Sequence, residues 1–216
     1  FKENPWVECE VHLDYTRVSD MFGGEPEESH ETPGEEFAKG HYEQLNEARG
    51  TITVGDEAFE VHGYGLRDHS WGPRFWQAPW YYRWLTANFG GDFGFMASRV
   101  AKRDGPGTRG GFVWDGERLR ICNDVQLTTT YVGDEKYHSH IEATITARDG
   151  ESWSVQGSVL RLIPLRNRRT APDGEQLMTR ISEGMTRWEL EDGRVGYGLS
   201  EYLDQIIDDQ PVGLAE

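Results

Sequence analysis

Hydrophobic and polar residues alternate along much of the chain with a period of two. In "WVECEVHLDY" (6–15), Val7, Cys9, Val11, Leu13 and Tyr15 fall on one side and Glu8, Glu10, His12 and Asp14 on the other. That pattern predicts a half-buried strand. Strand-like runs then recur between short Gly- and Asp-containing links. Thr51–Val54 and Phe59–Tyr64 flank "GDEA", Trp80–Asn88 and Phe93–Val100 flank "FGGD", and Phe112–Trp114 and Arg118–Val132 flank "DGE". Tyr137–Ala147 follows "GDEK", Ser152–Leu165 follows "RDGE", and Met178–Leu190 and Arg194–Tyr202 flank "EDG". Asp-Gly and Gly-Asp supply the positive φ that tight hairpins need. Seven or more strands joined this way, with no useful stretch of period 3.6, predict one antiparallel meander. Closing it into a barrel removes exposed edges, and about eight strands suffice to hold a small ligand.

Two stretches break the pattern. Residues 20–40, "DMFGGEPEESHETPGEEFAKG", are acidic, rich in Gly and Pro, and read as an exposed connector. Residues 166–177, "RNRRTAPDGEQL", read as a basic loop. No period of 20–50 residues repeats, which argues against solenoids and propellers.

Composition narrows the class. Twenty-six glycines, eight Trp, nine Tyr and nine Phe in 216 residues suit twisted antiparallel sheets. A formal charge of −16 argues against nucleic acid or an anionic membrane as partner. No apolar run approaches the roughly 20 residues of a spanning helix. Cys9 and Cys122 show neither disulfide nor metal spacing, so they are expected to be buried thiols, which fits a reducing cytoplasm. The chain opens at Phe1 rather than Met, as a processed or partial chain would.

One segment carries chemistry. "GYGLRDHSWGPRFW" (63–76) crowds Arg67, Asp68, His69 and Arg74 among Trp71, Phe75 and Trp76. The mixture suits a polar cluster in an apolar pocket. Burial raises a carboxylate's pKa and a nearby arginine lowers it, so the balance decides whether Asp68 donates a proton or only accepts hydrogen bonds. A protonated Asp68 is a general acid able to protonate an alkene. Trp71, Trp84 or Tyr82 would then steady the resulting cation by their ring faces, at about 0.5–2 kcal/mol each. The competing interpretation makes Arg67, Asp68, His69 and Arg74 a satisfied ionic knot bracing a junction, with Trp71 and Trp76 as packing. Glu43 in "HYEQ" and Glu201 in "GYGLSEYL" adjoin aromatics and are candidates to pair with Arg67 or Arg74 in a pocket, with simple exposure favoured for both. His138 and His140, at i and i+2, would share a strand face, with solvent exposure favoured over metal binding for want of a third ligand. "GTRGG" (107–111) lacks the strand-to-helix setting of a phosphate loop. Gly-x-Ser-x-Gly, His-Glu-x-x-His and P-loop patterns are absent, which leaves hydrolase and nucleotide chemistry of the familiar kinds unsupported; no metal and no cofactor is expected.

The stretch "GLRDHSWGPR" (65–74) resembles the Asp-His-x-Trp-Gly signature of the carotenoid 1,2-hydratase family, whose relatives include uncharacterised bacterial proteins and some fungal pericyclic cyclases. The resemblance extends more loosely over 41–76 and the Trp80–Val100 hairpin; Ser70 stands where relatives often carry Glu. It implies an all-β chain containing an antiparallel lipocalin-like β-barrel, the second of two in tandem. Residues 1–20 would then end a first barrel, 21–48 connect, and 49–216 form the second barrel, packed against its own upstream partner. It also implies Asp68, with His69, as the catalytic acid site of a hydratase, isomerase or cyclase. The substrate would be a hydrophobic small molecule, isoprenoid- or polyketide-like, held by Arg67, Trp71, Arg74, Tyr82, Trp84, Glu43 and Glu201. A non-catalytic carrier of an apolar molecule and a purely structural barrel are the alternatives.

Overall fold

The computed structural model describes residues 6–25, 36–104, 107–170 and 174–215. Among them strands dominate and there is no α-helix. The first four strands are β1 (Cys9–Arg17), β2 (Phe22–Gly24), β3 (Gly40–Val54) and β4 (Glu57–Trp71). The long β3–β4 hairpin turns at Gly55, whose φ of +59° a glycine adopts freely, and β1 and β2 share the other edge of β3.

Eight further strands follow: β5 (Tyr81–Asn88), β6 (Gly94–Ala101), β7 (Thr108–Trp114), β8 (Leu119–Val132), β9 (Tyr137–Ala147), β10 (Ser152–Thr170), β11 (Gln176–Leu190) and β12 (Val195–Ile207). Each pairs antiparallel with its chain neighbours, and β12 returns to pair with β5. The result is a closed eight-stranded up-and-down barrel, as the hairpin spacing predicts. A short β13 (Gln210–Pro211) and a 3₁₀ turn (Val212–Ala215) end the chain.

The barrel interior is full. Leu85, Phe95, Val113, Val125, Ile141, Ile145, Val155 and Trp188 form its buried centre, with Phe95 against Trp188 edge-to-face at 5.5 Å. Gly157 makes room for the Trp188 ring, because a Cβ there would stand 2.6 Å from it. Eight strands leave a lumen that ordinary side chains can fill, and here they do. One end is polar: Arg83 and Asp204 form a two-pronged ion pair, and the Arg83 guanidinium also donates to the Gly213 carbonyl of the terminal turn.

Several expectations need correction. Strand β3 begins at Gly40, inside the segment read as connector, and 49–71 join residues 9–17 in the first sheet rather than the barrel. Strand β2 lies inside that segment too, and the segment's residues 26–35 lie outside the described residues. The basic segment 166–177 is mostly strand, with β10 running to Thr170 and β11 starting at Gln176. β1 keeps its alternation, yet Val11 is 55 % and Tyr15 64 % exposed and Cys9 is exposed too. The barrel supports only the near half of the sheet, around Leu45 and Leu66, and β1 lies beyond it. Cys122 is buried, and burial pushes its thiol up to about 11. His138 is buried, stacked on Tyr202 at 4.0 Å, with burial pushing its pKa down to about 4. The register between β8 and β9 slips opposite Ser139, so this extra residue turns His138 inward, off the face that strict alternation assigns it.

Candidate functional site

The strands of the barrel wall alternate like any others. In β5, Leu85 points into the lumen while Tyr82 and Trp84 point outward. Outward from β6 come Met96, Ser98 and Val100; outward from β11 and β12 come Glu183 and Glu201. Against this outer wall lies one face of the β3–β4 hairpin. Between them is a cavity of about 430 Å³, lined also by Phe22, Phe37, Arg74 and Trp76. That size suits a small organic molecule. The hollow is thus formed between a sheet and the outside of a barrel, not by the barrel lumen.

Hairpin register decides which polar groups enter. Paired positions in β3 and β4 sum to 111, setting Glu43 opposite Asp68 and His41 opposite Ser70. His41, Glu43 and Asp68 share the cavity face. His41 Nε2 lies 2.8 Å from Asp68 Oδ1 and 3.5 Å from Glu43 Oε1. The hydrogen bond to Asp68 raises the His41 pKa, against the opposing effect of burial. Asp68 itself is 43 % exposed at the cavity mouth.

Glu43 is the buried member, 1 % exposed. Trp84 Nε1 donates to its Oε1 at 2.6 Å, while Oε2 has no partner among the described residues. Burial, helped by the negative charges of Asp68 and Glu201, pushes its carboxyl up to about 7 despite that bond and the nearby His41. On the opposite wall the Tyr82 hydroxyl donates to Glu201 Oε1, and Glu183 hydrogen-bonds Glu201. Burial raises both carboxyls, and it also raises the Tyr82 phenol well above its ordinary range.

His41, Glu43 and Asp68 each offer one ligand atom, all within 4.8 Å of one another. A divalent ion bound at about 2.1 Å sets neighbouring donors about 3.0–3.4 Å apart. The 2.8 Å His41–Asp68 contact is instead a hydrogen bond aimed from one ligand atom to the other. His41 and Asp68 are hydrogen-bonded with Glu43 in ion-pair range at 3.5 Å, and a cation would fit only after that bond opened.

The structure brings together Glu43, Asp68, Arg74, Tyr82, Trp84 and Glu201 from the sequence candidates. It separates Arg67, His69 and Trp71, because strand alternation carries them to the opposite face of β4. There Arg67 covers Tyr42 at 5.2 Å, and His69 lies between Tyr42 and Trp71 at 5.3 and 5.7 Å. Asp68 and His69 therefore do not work as a pair. The alternative ionic knot is not formed either: Asp68 pairs with His41, and Arg74 bonds Ser70 at 2.8 Å while its guanidinium covers Phe37 and Trp76. Neither Glu43 nor Glu201 forms an ion pair with Arg67 or Arg74 among the described residues. Sequence reasoning missed His41 and Glu183. The signal for His41 was present, since extending the hairpin pairing outward from Gly55 places it beside Asp68.

A family described as a domain of unknown function, DUF7064, matches residues 3–206, and the chain belongs to that family. No curated protein matches the sequence significantly.

Proposed function

We propose that this DUF7064 member is an enzyme that transforms an apolar small molecule, isoprenoid- or polyketide-like, by general acid catalysis in the cleft between hairpin and barrel wall. Glu43 supplies the proton. The observation that carries this reading is a buried carboxyl, its pKa pushed up to about 7 by burial, facing an aromatic-lined cavity. A carboxylic acid kept protonated near neutrality is what alkene protonation needs. Trp84 occupies Oε1, which leaves Oε2 to carry the proton. Asp68 is less suited to the role because it is half-exposed and hydrogen-bonded to His41. Its place is to hold His41, which links Glu43 to solvent. The ring faces of Trp84 and Tyr82 steady a developing cation at about 0.5–2 kcal/mol each. Two free thiols suit a reducing cytoplasm. No helix among the described residues is long and apolar enough to cross a membrane.

The test is incubation of the full chain with isoprenoid alkenes in D₂O. Wild type should place deuterium on carbon. Glu43→Gln should lower that rate by about 10²–10⁴-fold, the usual worth of a positioned acid. The variant should still bind an apolar fluorescent dye with unchanged affinity. If wild type binds the dye and alkenes but labels no carbon in any of them, the cleft is a carrier site.

A further inference from the structure

Arg74 is the one arginine or lysine among the described residues that line the cleft, against four carboxyl groups, Glu43, Asp68, Glu183 and Glu201. It forms an ion pair with none of the four. Each carboxyl has another partner: Glu43 bonds Trp84, Asp68 bonds His41, and Glu201 bonds Tyr82 and Glu183. Arg74 Nη1 donates to the Ser70 hydroxyl at 2.8 Å, while its Nε is buried with no acceptor among the described residues. The guanidinium lies over the rings of Phe37 and Trp76, at 4.2 and 4.7 Å, which hold it in place. Burial raises Glu201 and Tyr82 and the Arg74 charge counters the rise in both, so the guanidinium is within electrostatic reach of that wall.

We propose that the cleft takes an amphiphile, with a carboxylate head bound by Arg74 and an apolar tail that runs past Trp84 toward Phe22 and Met96. This rests on the cleft being the substrate site, as given above. A guanidinium presents paired donors that match a carboxylate, and a buried donor left unmet is costly. Ser70 occupies Nη1, which leaves Nε and Nη2, the edge that takes a carboxylate side-on. The path of the tail follows from the apolar lining. Phe37, Trp76 and Tyr82 belong to one cluster, Phe22 and Met96 to a second, and Trp84 packs against both. A molecule anchored beside Phe37 and Trp76 crosses the Trp84 ring to reach the second cluster. Glu43, bonded to the same indole, then meets its tail and not its head.

The carboxyls of the walls set the pH at which such a head is welcome. Burial pushes Glu43 on β3 and Glu201 on β12 up to about 7 and raises Glu183 on β11, while Asp68 on β4 is hydrogen-bonded to His41 on β3. Burial also keeps the Tyr82 phenol on β5 neutral. In mildly acidic solution the buried carboxyls are largely protonated, and Arg74 is the charge that an entering carboxylate meets. Above neutrality they ionise and oppose it, so the head should bind more weakly as pH rises.

The experiment compares geranic acid, its methyl ester and geranylamine, which share a tail and differ in the head. Binding to the full chain is measured by displacement of an apolar fluorescent dye near pH 6, where a free carboxylic acid is ionised. The acid should bind about 10–100-fold more tightly than the ester, as charge-assisted hydrogen bonds give. Its affinity should fall as pH rises through 7 while that of the ester holds. Arg74→Gln should remove the advantage of the acid and leave the ester unchanged. Should that variant not fold, Arg74→Lys replaces it, since it keeps the charge and loses the fork; the acid should then keep only part of its advantage. Equal affinity for acid and ester, or no binding of the acid, would overturn the inference and leave the acid role of Glu43 standing. An acid preference that survives in full in the Arg74 variant would overturn it as well, and so would tighter binding of the amine, which would assign the head to the carboxyl groups. If the wild type prefers the acid yet places deuterium on no alkene, the catalytic reading falls and the carboxylate site remains.

Discussion

Two buried charged clusters lie on opposite faces of the same barrel wall, at β5 and β12, and are built on opposite principles. At the polar end of the lumen, Arg83 and Asp204 are 0 % and 1 % exposed. Arg83 donates to both Asp204 oxygens and to the carbonyls of Tyr82, Leu203 and Gly213; the Gly213 N–H donates back to Asp204. Opposite charges meet there, and the guanidinium fork matches the carboxylate. In the outer cleft, Glu43 is equally buried but has one orphan oxygen, and Asp68 and Glu201 add charge of its own sign. Burial is common to both clusters, whereas satisfaction is not. The lumen cluster closes the fold. The cleft cluster maintains a carboxylic acid at a cost to stability, which is the pattern expected where chemistry is done.

The contrast can be broken most forcefully at Asp204. Asp204→Ala would strand a buried guanidinium and should cost about 3–5 kcal/mol, read as a lower urea midpoint. A loss below 1 kcal/mol would show that the lumen pair is not closing the barrel.

Glu43 should behave in the opposite sense. Its folded pKa of about 7 lies above the ordinary 4.5, so folding favours the protonated form. That contribution is fully present below pH 4.5 and is lost as pH rises through 7. The difference, about 2.5 pKa units, corresponds to about 3 kcal/mol. Glu43→Gln should therefore match wild type at pH 4.5 and exceed it by up to that amount at pH 8, in paired urea titrations. A variant less stable than wild type at pH 8 would make Glu43 structural.

The smallest effect is expected at His41. Its partner Asp68 is as exposed as it is, and such pairs contribute about 0.2–1 kcal/mol. His41→Gln should leave the urea midpoint nearly unchanged while slowing deuterium incorporation. A loss of several kcal/mol would place His41–Asp68 with the lumen pair instead.

Much of the site could be read from the sequence, though not its arrangement. Tyr82, Trp84, Glu43, Glu201, Arg74 and Asp68 were all marked by acidic or basic residues set among aromatics, and all reach the cavity. Arg67, His69 and Trp71 were marked by the same mixture and do not, because a run of consecutive candidates in a strand must divide between two faces. His138 was misread because a single extra residue, Ser139, reverses the alternation locally. Glu183 carried no aromatic neighbour to flag it, and only its pairing with Glu201 brings it in.

The sequence by itself determined the barrel strands and most of their turns, the ends of β10 and β11 excepted, because period-two patterning and Gly-Asp links are local properties. It determined equally that β3 and β4 would pair about Gly55. Only the tertiary structure decided which side of the barrel wall holds the site. Both faces of β5 and β6 are largely buried, one in the lumen and one under the hairpin, so their apolar content signals burial without direction. Trp188 and Phe95 fill the inside, and the space for a ligand is left outside, where the β3–β4 hairpin lies across the wall.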